Sequence, residues 1–440
     1  MRRMITLGLV ASVLAAALAM TAQAASWPAE VLKPSVEVHG QADFSSPVVA
    51  KLARKTHLVI SDQQGLWFRV TLADGTSGYL RVNEVRIAET KKPGDSALDI
   101  LMTGRSGSGR VTETAGVRGL DESDLQAASF NAAELQKMEG NRVAADVAEQ
   151  YARQQGWHAI SIPWANEADG KDTASSGHGL GQALAKTRGL LKSLGGKLQE
   201  LGEAGEAAAP ASDQDEAQEE LALGPMIAGR VLGARPLWAN AQAQHRINVI
   251  GRWLASQTSR PNLPWTFGVI DTPEINAFAA PGGYILMTRG LYELADGDQE
   301  LAAALGHEIT HVVQRDQYHV IRKQQMMSAA KNIASSEIQT GGGKAASLAR
   351  DYVEKNGAAI LMTSLDRSAE YRADENAELY LARAGMEPLS LYAILQKMLA
   401  VGTTTGGLAQ LYKTHPSLDD RLGRLDQFDA SKLRAGKARG

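Results

Sequence analysis

His307-Glu308-Ile309-Thr310-His311 places two imidazoles and a carboxylate at a spacing that suits a metal site. From Gln299 to Gln314 apolar residues recur at helical intervals, with Leu301, Leu305, Ile309 and Val312 near one face. Asp296, Asp298 and Glu300 stand near the start, where a helix favours negative charge. Four residues of helix turn through about 400°, so His307 and His311 stand one turn apart on one side. Both can reach a single zinc ion at ~2.0 to 2.1 Å, with Glu308 projecting beside them.

A catalytic zinc needs three protein ligands and an open position for water. In one arrangement a glycine and a third histidine follow on the same segment, but Gln314 and Gln317 hold those places. His319 lies eight helical residues beyond His311, ~12 Å along the axis. The chain has no cysteine, which removes disulfides, thiol catalysis and thiolate zinc sites together. A carboxylate from a later helix is therefore expected. In Ser368-Ala369-Glu370-Tyr371-Arg372-Ala373-Asp374, Glu370 and Asp374 share a helix face, and Ala369, Ala373 and Ala377 permit close packing. Glu370 is the expected third ligand. Asp374, one turn on, suits the free ring N–H of a ligand histidine. By itself such a pair of acids is a solvated face, and only the upstream histidines make it informative.

With Asn276-Ala277-Phe278-Ala279, Pro281-Gly282-Gly283 and Thr414-His415-Pro416-Ser417 plus Arg421, these two helices resemble the HtpX and CAAX-prenyl-endopeptidase family of gluzincin-type zinc metallopeptidases. The resemblance covers about residues 235 to 430. The chain lacks the membrane spans of HtpX, so it is more similar to the soluble periplasmic, BepA-like branch, though without that branch's TPR repeats. What the resemblance implies is a zinc endopeptidase with one Zn2+ per chain, held by His307, His311 and Glu370. Glu308 acts as general base on zinc-activated water. His415 either donates to the developing oxyanion or, as in the family's latent state, fills the open zinc position. Arg421 contacts substrate or braces an acidic residue. Ile275 to Met287 reads as a strand, which the family sets along the cleft edge, so Asn276 and Ala277 would bind substrate through their main chain. The remaining histidines, His39, His57, His158, His178, His245 and His319, lack partners at ligand spacing.

The elements around this centre imply a multidomain chain of 440 residues. Residues 1–24 read as an export signal: Arg2 and Arg3, an apolar run from Met4 to Met20, then Ala22-Gln23-Ala24. Their removal takes away two positive charges and no negative ones, moving the formal charge from -3 to -5. Residues 26–90 alternate apolar and polar residues around Asp74-Gly75, the pattern of a small all-β barrel with hairpin turns. Val48-Val49-Ala50-Lys51-Leu52, Gly65-Leu66-Trp67-Phe68-Arg69-Val70 and Asp74-Gly75-Thr76-Ser77-Gly78-Tyr79-Leu80 resemble a bacterial SH3-like domain, which implies either a docking module for a cell-wall peptide or protein partner, or a packing accessory.

Residues 95–165 carry two helical segments, one near Glu122 to Ala128 and one opened by Asn131 with Glu134 three residues on. Gly104 to Gly109 reads as a turn. Residues 166–222 read as an Ala/Gly/acidic linker holding a leucine-spaced helix between Leu180 and Leu201. A mainly α, α+β peptidase domain follows over 230–432. The 46 Lys and Arg are scattered against 49 Asp and Glu, which leaves no footprint for nucleic acid. No later run is long and apolar enough to span a bilayer. The expected function is an envelope endopeptidase, periplasmic or secreted, that cuts unfolded or misassembled proteins. The rival is an adaptor or chaperone-like protein whose zinc site His415 blocks.

Overall fold

Alternation of buried and exposed side chains builds seven antiparallel strands at the N-terminus: β1 (Trp27–Val31), β2 (Ser35–His39), β3 (Val48–Ala53), β4 (His57–Gln64), β5 (Trp67–Thr71), β6 (Ser77–Arg81) and β7 (Val85–Ile87). Their order is β3-β2-β6-β5-β4-β1-β7, so β3 and β7 are the sheet edges. Val38, Ile60, Phe68, Val70, Leu80 and Val85 fill the inside. Asp74-Gly75 forms the expected β5–β6 turn, with Gly75 at φ +86° and Asp74 Oδ1 accepting from the Thr76 N–H. Tyr79 is half-buried and Trp67 is buried.

The computed structural model describes residues 26–88, 122–162, 213–334, 360–361, 363, 365–402, 408 and 411–428. The export signal, the Gly104 to Gly109 turn and the Leu180 to Leu201 helix lie outside these residues. The helices are α1 (Glu122–Ala127), α2 (Ala132–Gly140), α3 (Ala145–Gln154), α4 (Asp213–Ala234), α5 (Ala241–Ala255), α6 (Arg289–Leu294), α7 (Asp298–Val313), α8 (Asp316–Ala334), α9 (Arg367–Arg383), α10 (Ser390–Gly402), α11 (Leu411–Thr414) and α12 (Leu418–Leu425). Among the described residues none is long and apolar enough to cross a membrane.

Asn131 caps α2 by accepting from the Glu134 N–H, but Glu134 does not reach back to close a capping box. Its carboxylate instead takes the Leu237 N–H and Lys137. Helices α1 to α3 pack with the C-terminal elements: Arg142 donates to Thr266 and Tyr284, and Tyr151 donates to Asp298. Helix α4 begins at Asp213, inside the stretch expected to be linker. Two of its acidic residues, Glu219 and Glu220, are buried. Glu220 is fully buried, accepts two bonds from Arg260 and one from Arg315, and takes the Gly282 N–H; Glu219 accepts from Tyr318 and Arg322. Composition suggested a linker because it cannot register such partners, which come from 40 to more than 100 residues away.

Three strands, β8 (Thr266–Ile270), β9 (Ala277–Ala280) and β10 (Tyr284–Thr288), form a second sheet in the order β8-β10-β9. The single strand expected from Ile275 to Met287 is therefore a hairpin. Gly282 at φ +71° and Gly283 at φ +98° follow Pro281 and turn the chain back. Helix α7 runs through the middle of the core, packed against α5, α9, α10 and β9.

Candidate metal centre

Close approach of α7 and α9 makes the site. A side chain at Gly306 would meet Ala377 Cβ at 3.3 Å, so two small residues set the helix separation. Glu370, on the first turn of α9, can then reach both histidines of α7. His307 Nε2 lies 3.5 Å from Glu370 Oε2, and His311 Nε2 lies 3.6 Å from Glu370 Oε1. The two Nε2 atoms are 3.2 Å apart. His415, just after α11, places Nδ1 2.5 Å from Glu370 Oε2. Ligand atoms of all four residues lie within 4.8 Å of one another.

Each of the two α7 histidines has its Nδ1–H held from behind. His307 donates to Asp374 Oδ1 at 2.8 Å, and Arg421 clamps the same carboxylate at 2.6 and 2.9 Å. His311 donates to Asp316 Oδ2 at 2.9 Å, while Arg372 donates to Asp316 Oδ1 at 3.0 Å. With Nδ1 protonated in both rings, two Nε2 lone pairs face each other at hydrogen-bond distance. Glu370 Oε1 is buried and has no hydrogen-bond partner. Only a cation or a proton relieves that arrangement, so the donor set fits a divalent metal.

Electrostatics agree. Burial raises the Glu370 carboxyl, but the charge of His415 and hydrogen bonds from His307 and His415 hold it well below the usual carboxylate range. Burial likewise opposes ionisation of Asp374, yet Arg421 and His307 hold it at about 2. Burial and Arg421 pull His307 down, whereas Asp374 and Glu370 outweigh them and push it to about 9. A metal entering here competes with a proton.

The site opens on a cleft lined by Glu308, His311, Glu370, His415 and Thr414 on one side and Ala277, Phe278 and Ala279 of β9 on another. Among the described residues strand β9 pairs only with β10, and no described strand covers its other edge. The main-chain expectation for Asn276 needs correcting. Its N–H donates to Thr288 Oγ1 and its carbonyl accepts from Thr288 N–H and Oγ1, so both groups are taken. Alternation along an antiparallel ladder turns the groups of Ala277 and Ala279 to that other edge instead.

All the residues expected at the metal thus come together: His307, His311, Glu370, Glu308, Asp374, His415 and Arg421. Of the two expectations for Arg421, it takes the bracing position. Asp316 was missed. On a continued helix, five residues past His311, it would point about 140° away. Helix α7 ends at Val313, and Arg315, at φ +57°, turns the chain so that Asp316 comes back beneath the ring. The acid-after-Arg pattern at 315–316 was the one sequence sign of it.

Residues 241–429 match the family model described as Peptidase family M48. The chain is 27% identical over 210 residues to the beta-barrel assembly-enhancing protease of Escherichia coli (strain K12), covering 46% of this chain and 42% of that protein. It is 25% identical over 167 residues to the mitochondrial metalloendopeptidase OMA1 of Schizosaccharomyces pombe, covering 38% and 47%. The aligned part spans less than half the length of these relatives. A protease HtpX homolog of Kineococcus radiotolerans is 30% identical over 243 residues, covering 46% of this chain and 78% of that protein. The matched span holds both histidines of α7, the distant Glu370 and the clamps behind them, and on these grounds the chain belongs to peptidase family M48.

Proposed function

We propose that the protein is a zinc-dependent endopeptidase of the cell envelope that hydrolyses peptide bonds of unfolded or misassembled proteins, with Glu308 as general base. The observation that carries this reading is the convergence of His307, His311 and Glu370 beside Glu308, in a cleft walled by strand β9. Imidazole and carboxylate donors without thiolate suit zinc. When bound, zinc supplies Lewis acidity toward a water and a substrate carbonyl oxygen.

The chain's own groups do the rest. Ala277 and Ala279 pair with an extended substrate by main-chain hydrogen bonds, a mode that tolerates many sequences. Glu308 takes a proton from the attacking water and returns it to the leaving amine. Asp374 and Asp316 hold the Nδ1 protons of His307 and His311, which keeps each Nε2 aimed at the centre. His415 against Glu370 supports a latent resting arrangement, and with it a second reading, an adaptor or chaperone-like protein with a blocked site.

The similarity to the beta-barrel assembly-enhancing proteases supports proteins in β-barrel assembly as the substrate class. The apolar run from Met4 to Met20 supports export, with the periplasm as destination. The N-terminal sheet would be an SH3-like module, free to take a cell-wall peptide or protein partner on the face turned from the peptidase. Metal analysis and casein hydrolysis on full-length wild type and Glu308→Gln test the mechanism. Zinc should be retained while the rate falls by roughly 10²- to 10⁴-fold. Cleavage by Glu308→Gln at the wild-type rate would remove Glu308 from this role.

A further inference from the structure

The N-terminal sheet does not hang free of the metal centre. Gln396 of α10 is fully buried and donates to the carbonyls of Val82 and Val85, while its own oxygen accepts the Ile87 N–H. Gln63 of β4 donates to Glu300 on the first turn of α7 at 2.9 Å. The strongest link is Arg86 of β7. Its Nη1 lies 2.7 Å from Asp419 Oδ1 and its Nη2 lies 2.6 Å from Asp426 Oδ2. The guanidinium also donates to the Tyr392 hydroxyl and stands 5.8 Å from that ring's centroid.

Asp419 and Asp426 sit in the first turn of α12 and at its C-cap, so one guanidinium grips both ends of an eight-residue helix. A helix this short has little stability of its own, and its placement rests on tertiary contacts. Leu418, Leu422 and Leu425 bury its apolar side, but such contacts resist rotation and sliding weakly compared with directed hydrogen bonds. Arg421 follows Asp419 by two residues, about 200° around the helix, so it points inward while Asp419 points to the sheet. There it meets Asp374, which holds His307.

We infer that Arg86 is a positioning residue of the metal centre: it sets the rotation and height of α12 and thereby the aim of Arg421 at Asp374. An unbroken series of contacts runs from the N-terminal sheet to a metal ligand: Arg86, α12, Arg421, Asp374, His307. The inference rests on the reading that His307, His311 and Glu370 hold the metal.

The test is the zinc dissociation constant of the full-length protein, measured by competition with a chromogenic chelator. Outer partners of metal ligands carry roughly 10- to 100-fold in affinity, and Arg86 acts beyond Asp374 through α12 and Arg421, so Arg86→Gln should weaken zinc binding by about three- to tenfold. Asp419→Asn with Asp426→Asn, which leaves the strand intact, should do the same if Arg86→Gln folds poorly. In an Arg421→Met background Arg86→Gln should add less than about twofold, because the relay is already cut. Lys51→Ala, on the opposite sheet edge, should leave the constant unchanged. A lowered melting temperature with wild-type zinc affinity would reduce Arg86 to a docking contact and overturn the inference, as would full additivity with Arg421→Met. Wild-type protein that binds no zinc would instead overturn the reading of the metal site, and the inference with it.

Discussion

His311 Nδ1 lies 2.9 Å from Asp316 Oδ2, and the second oxygen of that carboxylate is taken by Arg372. The same construction stands behind His307 with Asp374 and Arg421. Both candidate ligand rings are therefore aimed by an acid whose carboxylate an arginine holds in place. Asp316→Ala should weaken zinc binding by roughly 10- to 100-fold with little change in melting temperature of the metal-free protein. Unchanged zinc retention under chelator dialysis would show that Asp316 is a surface partner only. Asp374→Ala should cost more, because it also strands the buried guanidinium of Arg421.

His415 stands against Glu370 among the candidate ligands. His415→Ala should retain zinc through the other three and raise hydrolysis of an unfolded substrate several-fold. A fall in kcat at constant KM would instead assign His415 to the substrate oxyanion.

Helix α4 presses on the turn that carries the cleft edge. A Cβ at Gly224 would sit 2.2 Å from the Pro281 carbonyl oxygen and 2.9 Å from the Tyr284 ring. Gly224→Ala should cost about 1–3 kcal/mol in denaturant unfolding, the range for overpacking a filled contact. It should also raise KM, since the displaced turn leads out of β9. Wild-type stability together with wild-type KM would show that the turn yields freely.

Glu378, one turn beyond Asp374, is buried, and its Oε2 has no hydrogen-bond partner. Burial, then the charges of Asp374, Glu375 and Glu387, push its carboxyl well above the ordinary 4.5. The unfolded chain loses this proton near the ordinary value while the folded chain keeps it. Native protein then binds more protons, so Glu378 lowers stability progressively as pH rises above about 4.5. Glu378→Gln should melt higher than wild type at pH 8, with the gap closing toward pH 5. A gap independent of pH would contradict a protonated Glu378.

Much of the site could be read from local order. A spacing of four on a helix puts His307 beside His311, and the same spacing stacks Glu370 and Asp374, because 3.6 residues per turn holds whatever surrounds the helix. Ala369, Ala373 and Ala377 marked a helix face that a neighbour could approach closely. Asp74-Gly75 marked its hairpin for an equally local reason, a backbone conformation that glycine adopts at no steric cost. The expectation of a metal held by imidazole and carboxylate followed from residue types, since no cysteine exists to offer another set of donors.

Tertiary structure alone decided the rest, because it depends on where the chain goes between elements. A left-handed Arg315 returns Asp316 to His311, although five helical residues would carry it away. Thr288 claims the backbone of Asn276 and leaves Ala277 and Ala279 to face the cleft. Glu220 is a buried partner of Arg260 in a stretch whose composition alone suggests solvent. Arg86 reaches α12 across more than 300 residues of sequence. Periodicity says which side of an element is apolar; which charged group meets which is settled only when that side is buried and each charge must find a partner or remain in water.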